Sequence, residues 1–384
     1  MGKRRGWMMG FGVLGLASAM LSLTGCNDGT DKGSTDKTTT SGAATDQKFR
    51  LGLALDEGGR NDASFNQTAV ETVNGLEKEG KLTPWIADST KDSEYEMNME
   101  KIAQQKPNLI VAMGFKLEDA VGTMSRKYPD RRFVIIDSDM KKQPPTNVAA
   151  CLFGDHEGAF LAGLTAGFAS KTNKIAFLGG IKSPLMDKGQ GGYEAGAKLA
   201  SAIKGNNVEV TSVYANSFSN ENVGYSSAQS LFSGGNDVIY HFAGKVGKGM
   251  FRAAKGARGD GREHWVIGTD KDQYAEAPDH ILGSVIKKTD VVIKDTINRV
   301  GRGDESLFGK VNYYSLKDAA IDFKEDYGSK LDSEKANNLK NILEITKKSI
   351  AEGKISIPDT PDAVRTWKVP VDTLEALKKK VGAS

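Results

Sequence analysis

The 384-residue chain is poor in cysteine and histidine, with two of the first (Cys26, Cys151) and four of the second. His156, His241, His264 and His280 lie far apart, none in H-x-x-H or C-x-x-C spacing, which excludes a zinc site legible in the sequence. Charge of one sign is also missing: 52 Lys and Arg stand against 49 Asp and Glu, a net +3. Without a basic stripe to neutralise phosphates, nucleic-acid binding has no footing. No Ser/His/Asp or Cys/His set is legible, and Asp56 and Asp62 are too sparse for a calcium-holding hydrolase cluster. The sequence therefore points away from an enzyme, a resident metal and a cofactor.

What is present begins with a leader. Lys3, Arg4 and Arg5 precede an apolar, small-residue stretch from Trp7 to Leu23, the layout of a secretory signal. Its length also approaches a membrane span. Leu23-Thr24-Gly25-Cys26 decides between the two, because it resembles the bacterial lipobox, in which the cysteine thiol takes a diacylglycerol. Residues 1–25 are then a lipoprotein signal peptide and Cys26 the lipidation site. Several acyl chains anchor stably where one does not. Cys151, left without a disulfide partner, sits in "NVAACLFG" as a small core residue. Residues 26–47 are rich in Thr, Ser, Gly, Asp and Lys, cannot bury a core and read as a flexible tether.

From Phe49 onward, short apolar runs alternate with amphipathic stretches. "FRLGLALD", "LTPWIAD", "PNLIVAMG" and "RRFVIID" read as strands with helices between them. "KIAFLGG", "VEVTSVYA", "DVIYHFAG" and "HWVIGTD" repeat the pattern, with helices that include "GYEAGAKLASAIKG". Alternating β and α with continuously apolar strands predicts α/β architecture with parallel sheets covered on both faces. "ILGSVIKK" reads as a further strand, "NYYSLKDAAIDF" as another, and "SEKANNLKNILEITKKSIAEGK" as a helix. "IPDTPDAVRTWKVP" reads as a short pairing strand or a wrapped tail.

In open α/β sheets, ligands bind beyond the carboxyl ends of the strands. Asp56, Gly114 with Phe115, and Asp137 end strands of the first half. Gly179 with Gly180, Phe218, Gly244 and Asp270 do so in the second, and Lys287 ends "ILGSVIK". An aspartate after a strand is often only a turn former or helix cap. The same carboxylates can also accept two hydrogen bonds from vicinal sugar hydroxyls. The loop "DEGGRNDASF" lacks both G-x-G-x-x-G and G-K-[ST], and its acids repel phosphate, so it is not a phosphate cradle.

"DEGGRNDASFNQ" resembles the signature D-x-G-G-x-x-D-x-S-F-N-Q of the basic membrane protein family of lipoproteins, whose best understood branch is the purine nucleoside receptors. The resemblance continues in order through "GFKLEDAV", "YPDRRFVIID", "EGAFLAGLTAGFASKTNKIAFLGG", "SFSN", "DVIYHFAGKVGKGMFRAAK", "VIGTDKDQ", "ILGSVIKKTD" and "YYSLKDAAI", about residues 48 to 325. It implies a type I periplasmic-binding fold: two Rossmann-like lobes with parallel sheets, joined by a three-stranded hinge. Lobe 1 is expected over 48–153 and lobe 2 over 154–286. Return segments follow at 287–312 (lobe 1) and 313–345 (lobe 2), with a tail at 346–384.

The resemblance also implies a substrate-binding protein of an ABC importer, a monomer in the cell envelope on the extracytoplasmic face. It would deliver nucleosides to a permease driven by a separate ATPase. Phe65 resembles the aromatic that stacks on the purine and Phe218 its counterpart from lobe 2. Asp56, Asn66 and Asp137 resemble groups for the base edge and nearby polar atoms, and Gly244, Asp270 and Lys287 the ribose set. The chain departs from the family pattern at Arg60, Lys245, Val246 and Asn220. The same fold also fits another small ligand, a sugar or signal molecule, in a sensor or surface lipoprotein.

Overall fold

Runs such as "LIVAM" and "FVII" contain no polar side chain, so they are stable only where both faces of a strand are covered. In the computed structural model both are fully buried strands. The structure describes residues 48–257 and 261–380; the leader, Cys26 and the tether lie outside the described residues. In the first part of the chain, β1 (Phe49–Ala54), β2 (Leu82–Ala87), β3 (Leu109–Met113), β4 (Phe133–Ile136) and β5 (Val148–Phe153) alternate with α1 (Phe65–Lys78), α2 (Tyr95–Gln104) and α3 (Glu118–Lys127). Helix α4 (Asp155–Ala169) then opens a second set. In it β6 (Lys174–Gly179), β7 (Glu209–Tyr214), β8 (Val238–Phe242) and β9 (Trp265–Gly268) alternate with α5 (Pro184–Lys204), α6 (Glu221–Ser233) and α7 (Val246–Gly256). The chain continues through β10 (Ile281–Lys287), α8 (Thr289–Gly301), β11 (Lys310–Tyr314), β12 (Ile321–Glu325), α9 (Ser333–Ala351), α10 (Pro361–Thr366) and α11 (Val371–Lys380).

Among the described residues these strands form two sheets with the same plan, ordered β11-β5-β4-β3-β1-β2 and β12-β10-β9-β8-β6-β7. Pairing is parallel except that β12 runs antiparallel to β10. The exception follows from the connection. β11 runs parallel to β5 toward the end where the strands finish, and a short turn feeds β12 into the other sheet from that same end. A parallel entry needs a crossover of about a dozen residues. The chain passes between the lobes after β5, after β10 and after β11. Val292 and Ile293 of α8 pack in the core under the first sheet, whereas Leu339, Ile342 and Leu343 of α9 pack under the second.

Several sequence expectations shift. "NYYSLKDAAIDF" is not one strand but two in different sheets, broken where Ser315 and Asp318 bond across a turn and Ala319 takes φ 55°. The first lobe therefore keeps the chain through Tyr314, and Lys287 still belongs to the second sheet. The tail expected from residue 346 begins inside α9. Its "IPDTPDAVRTWKVP" forms no strand; Thr360 caps α10, with Pro361 at the first turn, and Trp367 stacks edge-on against Phe160 of lobe 2.

Helix α5 starts at Pro184, well before the predicted "GYEAG". Ser183 accepts from the Met186 amide, and proline in the first turn gives up no needed donor. Glycines on both helices make the contact face: a Cβ on Gly163 of α4 would overlap the Tyr193 carbonyl of α5, and Cβ atoms on Gly192 and Gly196 of α5 would overlap the His156 and Phe160 carbonyls of α4. Close packing of α4 on α5 outweighs the weak helix propensity of glycine.

This packing makes a paired prediction. Gly163→Ala forces two backbones apart and should lower unfolding free energy by about 1–3 kcal/mol in urea titration. Gly75→Ala, in α1 with nothing within 4 Å of the new methyl, should raise it by about 0.5–1 kcal/mol.

Candidate functional site

The loops at the carboxyl ends of both sheets meet around a cavity with about 490 Å³ of empty space, its open mouth included. Asp56, Phe65, Asn66, Asp137, Phe218, Gly244 and Asp270 all line it. Lys287 does not; it stands behind the wall, 2% exposed.

The backbone is bent to deliver these groups. Asp137 and Asp270 occupy equivalent places beyond the fourth strand of each sheet, both in the left-handed region at φ 69° and 68°. For a residue with a Cβ this conformation costs about 1–2 kcal/mol, and such strain concentrates at ligand-binding loops. Gly114 needs its φ of 101° beside the Asp56 carboxylate, and Gly180 leaves the space that the Phe218 ring fills. Phe218 meets Phe115 of lobe 1 edge-on, ring centres 6.1 Å apart.

The cavity has two chemically different ends. At one, Asp56 accepts from Asn66 Nδ2 at 2.7 Å and from the Gly58 amide at 3.0 Å. Burial pushes the Asp56 pKa up, and these two bonds oppose it. Asn66 Nδ2 donates to Asp56, while its acceptor oxygen Oδ1 is buried without a partner. Asp62, also in the wall, accepts backbone amides of Ser64, Asn66 and Gln67 at 2.9, 2.9 and 3.0 Å. It thus caps α1 in place of the residue nearest the helix, fixing where Phe65 and Asn66 begin.

At the other end, Lys287 Nζ lies 2.6 Å from Asp137 Oδ2 and 2.8 Å from Asp155 Oδ1. The rings of Phe65, Phe153 and Phe242 surround the ammonium, with centres at 5.3, 5.0 and 5.8 Å. Burial works against the charged lysine, but Asp137, Asp155 and Asp270 outweigh it and hold its pKa above the ordinary value. Burial pushes Asp137 up to about 7 and Asp270 up to about 6, in each case against the pull of Lys287. Asp270 also accepts from the Ser64 hydroxyl of lobe 1. Asp137 therefore groups with Lys287 at the ionic end rather than with Asp56 and Asn66.

Sequence reasoning missed Asp155, Ser64, Phe242 and Met186. Asp155 had a signal, since it follows β5 as Asp137 follows β4. The departures from the family pattern face away from the cavity. Arg60 pairs with Asp88 on the surface of lobe 1, and Lys245 lies 3.6 Å from Glu221. Val246 is buried in the core between α6 and α7. Asn220 caps α6 through the Asn222 and Val223 amides, a role asparagine fills as well as aspartate. Among the described residues no group of His, Cys, Asp and Glu is arranged to hold a metal ion.

Removing one partner from a buried ion-pair cluster leaves uncompensated charge and costs about 3–5 kcal/mol. Lys287→Met should therefore destabilise the protein by that order at pH 7.5. Without the ammonium, Asp137 and Asp270 titrate higher still, so the loss should shrink at pH 5, where protonation removes their charge. Urea denaturation at both pH values checks this.

The sequence matches the family model described as "ABC transporter substrate-binding protein PnrA-like" over residues 49–361. It is 32% identical over 362 residues to a Lactococcus lactis subsp. cremoris protein named "ABC transporter nucleoside-binding protein BmpA", covering 90% of this chain and 97% of that one. It is also 32% identical over 368 residues to the "CD4+ T-cell-stimulating antigen" of Listeria monocytogenes, covering 90% of this chain and 98% of that one. The fold is similar to a solved ABC transporter solute-binding protein from Aeropyrum pernix K1, with TM-score 0.73 and 22% identity over 87% of this chain and 99% of that one. The architecture is accordingly that of type I periplasmic-binding proteins. With the family model spanning most of the chain, this protein belongs to the PnrA-like family of ABC transporter substrate-binding proteins.

Proposed function

We propose that the cleft binds purine nucleosides for delivery to an ABC permease and its ATPase, with the protein held at the membrane by lipid on Cys26. The observation that carries the ligand assignment is the two-ended cavity. Phe65 and Phe218 reach it from opposite lobes and offer aromatic faces, beside Asp56 and Asn66 with its free acceptor oxygen. Stacking on an aromatic side chain contributes about 1–3 kcal/mol per base and tolerates base identity. At the other end, Asp137 and Asp270 lie in front of Lys287, and Gly244 lines the cavity beside Phe218. Ionised carboxylates there suit the paired hydroxyls of a ribose. A closed cleft penalises any ligand that leaves such groups unpaired. The name of the Lactococcus relative agrees with this chemistry.

Calorimetry with guanosine, adenosine, inosine, the free bases and ribose tests the reading. Nucleosides should bind, and Asp270→Ala should weaken them far more than it weakens the bases. The absence of heat and of any thermal shift with every purine nucleoside overturns the assignment. Release of a cleaved product overturns the binding-only role.

Because hydroxyls donate to the charged form of Asp270, affinity should be level above pH 7 and fall as pH drops below about 6. Binding below that point should release a proton, visible as buffer-dependent heat. The ligand-free protein moves oppositely. A carboxyl whose folded pKa is raised contributes stability that is lost as pH rises through about 6.

The anchor has its own test. Cys26→Ala should shift the protein from the membrane fraction to the soluble fraction without altering nucleoside affinity in solution. Retention at the membrane overturns lipidation as the anchor.

A further inference from the structure

Gln273 lies just beyond β9, is 3% exposed, and does not line the cavity. Two backbone groups fix which way its amide points. The Thr269 amide donates to Oε1 at 2.7 Å, so that atom is the carbonyl oxygen. Nε2 then donates to the Ala63 carbonyl of lobe 1 at 2.8 Å. His241 Nε2 sits 2.9 Å from the same Oε1. An amide oxygen can only accept, so the imidazole carries its proton on Nε2. His241 Nδ1 is correspondingly without a hydrogen-bond partner. Burial pushes the His241 pKa down to about 4 against the pull of the Gln273 bond, which keeps the ring neutral. Gly247 and Gly268 leave the room this pair occupies: a Cβ on the first would overlap the imidazole and one on the second would crowd Gln273 Oε1.

The far end of the chain of bonds is mechanically significant. Ala63 is held at φ 56°, in the left-handed region, immediately before Ser64 and Phe65. Its own amide donates to Gln67 Oε1 at 3.0 Å. A bond from lobe 2 to its carbonyl therefore fixes the turn that aims the Ser64 hydroxyl at Asp270 and brings the Phe65 ring to the cavity. Two other contacts between the lobes, Lys271 to Glu71 at 2.7 Å and Lys248 to the Asn61 carbonyl at 2.9 Å, are exposed, whereas Ser64 to Asp270 and Lys287 to Asp137 are buried and ionic. Salt screens the exposed contacts; it does not screen a buried amide–carbonyl bond.

We propose that Gln273 is a buried, uncharged latch that helps hold the two lobes closed, and that His241 is its positioning residue, donating from Nε2 to hold the amide toward Ala63. The proposal rests on the nucleoside reading only for the choice of ligand. A latch that forms after entry acts on release, so it sets the dissociation rate more than the association rate.

The test uses the full chain. Release of a purine nucleoside is followed by stopped flow, and the interlobe distance by spin labels at Met97→Cys and Val371→Cys, two exposed positions. Gln273→Leu should speed release about tenfold, the equivalent of one buried hydrogen bond, and broaden the distance distribution. The change should be the same at low and high salt. His241→Leu should speed release, His241→Gln should restore it by supplying an N–H donor, and His241→Leu should add nothing to Gln273→Leu. Should Gln273→Leu fail to fold, the His241 pair decides. Unchanged release and distance in these variants, no rescue by His241→Gln, or independent addition of the two substitutions overturns the latch. If no nucleoside binds, the ligand assignment fails, and the distance distribution alone decides: a broadened one supports the latch, an unchanged one overturns it.

Discussion

The ammonium of Lys287 is buried where β10 leaves the second sheet and crosses to the first lobe, and such a charge is tolerable only when matched by opposite charge at hydrogen-bond distance. Asp137 comes from lobe 1, Asp155 from the first crossing into lobe 2, and Asp270 from the neighbouring loop. The lysine thereby ties together three segments that are distant in the chain. It also spends its donors on the protein, which leaves the carboxylates rather than the ammonium to face the cavity. The aromatic rings around it shield the cluster from water and strengthen every interaction within it.

The other end of the cleft obeys the same logic with weaker forces. Asp62 caps α1, Asn66 donates one hydrogen bond from its side-chain amide to Asp56, and Gly114 and Gly180 keep their Cβ positions empty for Asp56 and Phe218. Each bond removes a freedom that a ligand would otherwise have to remove on binding, which is how a rigid cleft gains affinity. The strained turns at Ala63, Asp137 and Asp270 survive because burial and hydrogen bonds on both sides over-determine them.

The fold was largely legible because parallel strands buried on both faces must be continuously apolar, a pattern that survives in one sequence. What failed to read had local signals overridden by distant ones. Helix α5 begins at Pro184, ahead of the expected "GYEAG", because the glycines there let its backbone approach α4. "NYYSLKDAAIDF" spells one strand until two sheets claim its ends. At the site, aspartates and aromatics at strand ends stood out because position alone marks them. Ser64 and Gln273 did not, because their partners lie far along the chain: Ser64 and Asp270 are separated by 206 residues, and Gln273 and Ala63 by 210. Arg60, an outlier in the motif, proved to be tied to Asp88 outside the cavity.

The central claim concerns the direction in which a ligand lies between these two ends. A crystal structure of the protein with inosine tests it most directly. The account predicts the base between the rings of Phe65 and Phe218, with the ribose hydroxyls donating to Asp270 and the Lys287 cluster intact behind them. A sugar lying between the rings, or a ligand bonded to Lys287 with Asp137 displaced, would contradict it.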